Sequence, residues 1–110
     1  MKIDLKLAPE VYIIISATLQ PINNTKPQTR KEKSTLSIAI DVLDKIESKA
    51  SSFKKQSTLF DAKKKVKITF KHHEADMLEI ILIDQIKYVQ DDFMRLQIQN
   101  TINLLNQKLV

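Results

Sequence analysis

Two stretches of this chain alternate polar and apolar side chains residue by residue. The first is Lys2-Ile3-Asp4-Leu5-Lys6-Leu7 and the second is Lys65-Val66-Lys67-Ile68-Thr69-Phe70. A period of two puts one set of side chains on each face of a strand, so both stretches predict half-buried β-strands. Each is followed within a few residues by an acidic start and a dense aliphatic run. These runs are Glu10-Val11-Tyr12-Ile13-Ile14-Ile15 and Glu74-Ala75-Asp76-Met77-Leu78-Glu79-Ile80-Ile81. The chain thus carries a loose strand–helix pattern twice.

The three consecutive isoleucines of the first run favour sheet by themselves. Pro9, which suits the first turn of a helix, and the Ser-Ala-Thr-Leu-Gln that follows favour a helix ending before Pro21. Residues 21–33 have no period and hold two prolines, two asparagines, Lys26, Arg30, Lys31 and Lys33. They read as a basic linker that is expected to be mobile. Ser34 or Thr35 then caps a second helix running to about Gln56, with Leu36, Ala39, Ile40, Leu43, Ile46, Ala50 and Phe53 on one face. Asp41 and Lys45 are spaced for an i,i+4 ion pair. A third helix starts near His73 and reaches about Gln90. Asp91 or Asp92 then caps a separate last helix, or the two merge into one rod ending near Leu109; Asp91 and Arg95 pair at i,i+4 in either case.

The two strands most simply pair as an antiparallel ribbon. Ile3, Leu5, Leu7, Val66, Ile68 and Phe70 then face the helices, and Lys2, Asp4, Lys6, Lys65, Lys67, Thr69 and Lys71 face outwards. Such a ribbon is marginal alone and needs helices against it. The expected fold class is α+β, a two-stranded antiparallel ribbon packed on three to four α-helices. It forms a single domain over residues 1–110, with the mobile basic linker at about 21–34.

Composition narrows the chemistry. The 110 residues contain no glycine and no cysteine. Phosphate-cradling loops, dinucleotide fingerprints and nucleophile elbows need a residue with free φ or no Cβ. Disulfides, thiolate nucleophiles and cysteine zinc sites are excluded outright. No secretory signal or membrane span is read in the chain, since Val11–Ala17 is short and flanked by acids and Met77–Ile83 is interrupted by Glu79. The expected location is cytoplasmic, or a virion if the chain is phage-encoded. The abundance of lysine and isoleucine beside absent glycine fits an AT-rich bacterial or phage genome.

The net charge is +5 and is unevenly placed: residues 1–25 balance, residues 26–71 carry +8, and residues 72–110 carry −3. Such a field can steer an anionic partner, or a second copy head to tail.

Four groups of residues are candidates for function. His72 and Asp76 share a helix face and could supply half a metal site, but adjacent His72 and His73 point apart and no second half is visible. A polar helix start, with Glu74 and Asp76 complementing the dipole, is the plainer reading. Lys54, Lys55, Lys63, Lys64, Lys65, Lys67 and Lys71 form a second group that could bind a polyanion without reading sequence. Lysines on exposed strands also discourage edge pairing. The acids Glu74, Asp76, Glu79, Asp84, Asp91 and Asp92 are spaced as solvated charges rather than as a catalytic pair. The fourth group is an aliphatic surplus. Met77, Leu78, Ile80, Ile81, Leu82, Ile83 and Ile86 occupy most of a helix circumference. The last helix carries two stripes: Phe93, Leu96 and Leu104, and then Met94, Ile98, Ile102, Leu105 and Leu109. One ribbon and one partner helix cover too little of this, so the second stripe is expected to form an interface, with Asn100, Asn103 and Asn106 as polar register markers; the alternative is a well-packed monomer core.

The function expected from these residues is a non-enzymatic protein–protein interaction or assembly protein. It would associate with itself or another protein, need no cofactor or metal, and be encoded by a phage or mobile element. The alternatives are a sequence-tolerant nucleic-acid binder using the lysine face, and an inhibitor of a host defence protein.

Overall fold

The computed structural model describes residues 1–54 and 64–110. The elements run β1 (Lys2–Leu7), α1 (Pro9–Thr18), a 3-10 turn (Gln20–Asn24), α2 (Arg30–Lys54), β2 (Val66–Lys71), α3 (His72–Gln85), a second 3-10 turn (Ile86–Tyr88) and α4 (Asp92–Leu109). This is the expected α+β class, mostly helical, with a two-stranded antiparallel sheet and four helices among the described residues.

The ribbon pairs Ile3 with Phe70, Leu5 with Ile68 and Leu7 with Val66. Those residues point inwards and the lysines between them point outwards. Behind the ribbon, α1 touches α2 and α4, and α3 touches the same two helices. The resulting cycle of four helices encloses one core, in which Leu5, Tyr12, Ile15, Ile46, Leu78 and Leu105 are fully buried. Tyr12 ties the helices to the ribbon: its hydroxyl donates to the Val66 carbonyl at 2.6 Å, and its ring lies 5.6 Å from that of Phe53. Burial, partly offset by the backbone at Leu7, pushes its hydroxyl pKa up to about 12.

Absence of glycine shapes the helix ends. Helices commonly stop on a left-handed residue, a role glycine fills without a Cβ penalty. No described residue here has a positive φ. Instead α1 and α3 tighten into 3-10 turns, with Ile22 N donating to Leu19 O at 3.0 Å and Val89 N to Ile86 O at 3.1 Å. The turn after α3 separates it from α4, and the Asp91 carboxylate accepts from Met94 N at 2.8 Å. Residues 72–109 are therefore two helices, the second capped by Asp91.

Several expectations need correction. The second helix starts at Arg30, not at Ser34 or Thr35. Thr29 and Glu32 form a reciprocal cap: Glu32 N donates to Thr29 Oγ1 at 3.1 Å, and Glu32 Oε2 accepts from Gln28 N at 2.7 Å and Thr29 N at 3.2 Å. The spacing Thr29-x-x-Glu32 is the sequence signal of this motif. Within α2, Val42 is buried, whereas Ile40 is 38% exposed because it lies ~100° round the helix from Ala39. Lys45 does not pair with Asp41; it crosses to Glu74 on α3, Nζ to Oε1 at 2.9 Å. Asp91 likewise caps α4 rather than pairing with Arg95.

Candidate interaction surfaces

Three surfaces carry the chemistry this chain has. The first is the outer face of the ribbon. Its register sets Lys2 directly opposite Lys71 and Lys6 directly opposite Lys67. Between the two lysine pairs, Thr69 Oγ1 donates to Asp4 Oδ1 at 2.7 Å. Lys64 and Lys65 are exposed just before β2. Lys49 of α2 lines a shallow depression with Lys67 and Thr69, which extends the basic face onto a helix. Of the lysines proposed to bind a polyanion, the structure brings Lys67 and Lys71 onto one face. It adds Lys2 and Lys6, which come from the far end of the sequence and join only through strand pairing. Lys55 and Lys63, with the side chain of Lys54, lie outside the described residues.

The second surface is the outer side of the α3–α4 hairpin. Here the expected interface is overturned. Ile98, Ile102 and Leu105 are buried inside the protomer, and Met94 and Leu109 pack half-buried against the same core. This stripe faces α1, α3 and β1 because, with five apolar positions against three, turning it inwards removes more apolar area from water. What remains outside is Phe93 and Leu96 of the sparser stripe, while its Leu104 also packs half-buried against the core. α3 divides the same way: Leu78 and Leu82 are buried, while Ile80 and Ile83 face outwards. Asn100, Asn103 and Asn106 are exposed.

The third surface is a groove of about 690 Å³ between the first 3-10 turn, the start of α2 and the outer side of α3. Ile22, Leu36, Ala39, Met77, Ile80 and Ile81 line it, and Lys26 and Lys31 stand at its polar edge. Several of these residues fall in the segment read from sequence as linker. The groove is invisible to periodicity because it exists only where that segment, packed on α1 and α2, faces α3 across an opening.

The remaining candidates separate. His72 and His73 are exposed, and among the described residues no group of three or more His, Asp or Glu side chains converges. Glu74 is buried, and its Oε1 accepts from Lys45 Nζ at 2.9 Å and Lys71 N at 2.8 Å. Burial pushes its carboxyl up, but the Lys45 ammonium, the Lys71 amide and nearby His73 together hold it below the ordinary 4.5. Lys45 Nζ also sits 5.6 Å from the centre of the Phe70 ring. This cluster joins α2, β2 and α3 and is structural. Asp76, Asp84, Asp91 and Asp92 are exposed. No helix of the described residues is long and apolar enough to cross a membrane.

No family model, curated protein or solved structure matches this chain.

Proposed function

We propose that this is a non-enzymatic interaction or assembly protein that self-associates through the outer side of its α3–α4 hairpin. One observation carries the reading. Ile80, Ile83, Tyr88, Phe93 and Leu96 are 52%, 53%, 67%, 52% and 55% exposed, all within one hairpin. Single exposed apolar residues are ordinary, but five large ones between residues 80 and 96 favour a contact site. Sedimentation equilibrium at tens of micromolar tests it. A dimer or larger species is expected, weakened by Ile83→Asp; a monomer at that concentration overturns the reading.

A second reading, polyanion binding by the ribbon, has its own support. Like charges directly opposite each other destabilise a strand pair, yet Lys2 faces Lys71 and Lys6 faces Lys67. An anionic partner would relieve that repulsion. Binding to a nucleic acid of random sequence should then fall steeply with salt, and Lys6→Glu with Lys67→Glu should abolish it. Absence of binding at low salt removes this reading.

A further inference from the structure

The groove between α2 and α3 and the exposed start of α4 complement one another in charge, and both carry apolar side chains. The groove is walled by residues 31–39 of α2 and 77–85 of α3. Nine helical residues span about 12 Å, so the walls are a little over two turns long. A helix laid between them would offer apolar anchors three or four residues apart. Both acids on the lining are already engaged: Glu32 caps α2, and Asp84 Oδ1 lies 3.4 Å from Lys87 Nζ. Lys26 and Lys31 have no acidic partner among the described residues. The edge therefore favours a negatively charged end on whatever enters.

This chain carries a segment of that kind. Phe93 and Leu96 are three apart on α4 and half-exposed, and the exposed Asp91 and Asp92 immediately precede them. Arg95 lies beside them, lining a separate shallow depression with Asp92 and Leu96. No residue of α4 lines the groove, so a protomer does not fill its own. We infer that the α2–α3 groove of one copy receives the Phe93–Leu96 face of a second copy, with Asp92 set towards Lys26 and Lys31. This rests on the self-association proposed above and divides its residues: Phe93 and Leu96 supply one meeting surface, and the groove, whose wall includes Ile80, supplies the other. Because they are different surfaces, two copies can close reciprocally as a pair or continue as a chain.

Complementation tests the inference, using the full chain and sedimentation equilibrium. Ile80→Asp spoils the groove and Leu96→Asp spoils the inserted face; both positions are half-exposed, so circular dichroism should show native helix content in each. If either variant unfolds, Ile80→Ser and Leu96→Ser replace them. Each variant alone should self-associate at least about tenfold more weakly than the parent. An equimolar mixture should recover a one-to-one pair at least about tenfold tighter than either variant alone, since each supplies the half the other lacks. A parent that self-associates while the mixture stays as weak as its components means that like surfaces meet like; the inference then fails and the self-association reading stands. A parent that is monomeric at tens of micromolar removes both.

Discussion

The two strand–helix units of this protein share a sequence pattern but end in different environments. α1 follows β1 and buries Val11, Tyr12, Ile14 and Ile15. α3 follows β2 with a comparable aliphatic run, yet buries only Leu78 and Leu82 of its large apolar residues and leaves Ile80 and Ile83 half-exposed. Composition separates them in part, since α1 holds only Glu10 as a charged residue whereas α3 holds Glu74, Asp76, Glu79 and Asp84. α1 is enclosed by α2, α4 and the 3-10 turn that folds back after it, whereas no described element covers Ile80 and Ile83 on the side of α3 away from the core. A helix apolar nearly all round requires cover on several sides; α1 receives it within the protomer. The uncovered side of α3 is where a partner would act.

The largest expected effect is in α1. Ile15→Asp places an unpaired charge in the core and should destabilise the fold by about 4 kcal/mol or more, enough to unfold it. Chemical denaturation would show this as loss of the native baseline. Ile98→Asp should behave the same way, since that residue lies inside the protomer and not at an interface.

The starts of the two helices differ next. α3 is pinned by Glu74, which binds Lys45 and the Lys71 amide. Lys45→Met should cost about 1–3 kcal/mol at neutral pH, with the lower half favoured because Lys45 is partly open to solvent. The folded-state pKa of Glu74 lies below its ordinary 4.5. Its contribution is thus complete above that value and is lost as pH falls through the lower folded pKa. Urea titrations of parent and variant should converge as the pH is lowered below 4.5. α1 is pinned instead by the Tyr12 hydroxyl on Val66. Tyr12→Phe leaves that carbonyl without its donor and should cost about 1–2 kcal/mol in the same assay.

The smallest effect on stability sharpens the contrast most. Ile83→Asp should change the unfolding free energy by no more than about 0.5 kcal/mol, because the side chain is already half in water. The same substitution should weaken self-association. A large loss of stability at Ile83 would mean that α3 is covered after all.

Much of this fold was legible in the residues. Alternation at Lys2–Leu7 and Val66–Phe70 identified both strands and their inward faces, and Pro9 marked the start of α1. The start of α2 was legible in principle through Thr29-x-x-Glu32, but the prolines and cations around it draw the eye to a linker. Of the candidate surfaces, the lysine face was largely legible: the expected antiparallel pairing sets Lys2 and Lys6 outwards with Lys67 and Lys71, although the polyanion-binding set left the β1 lysines out, and only the structure gives the register. The apolar surface was seen as a surplus but assigned to the wrong stripe of α4. Spacing finds both stripes and cannot rank them; area removed from water ranks them, and that depends on what lies opposite.

By itself the sequence determined the local geometry: where most strands and helices form, which side chains share a face, and that α1 and α3 end without left-handed residues. Those properties follow from backbone sterics and from side chains a few positions apart. Tertiary structure alone decided which apolar face turned inwards, that Lys45 met Glu74 across α2 and α3, that four lysines were brought opposite one another, and that a groove opened beside α3. Each depends on residues distant in the chain competing for the same contacts, and burial and charge pairing settle that competition only after the elements have met.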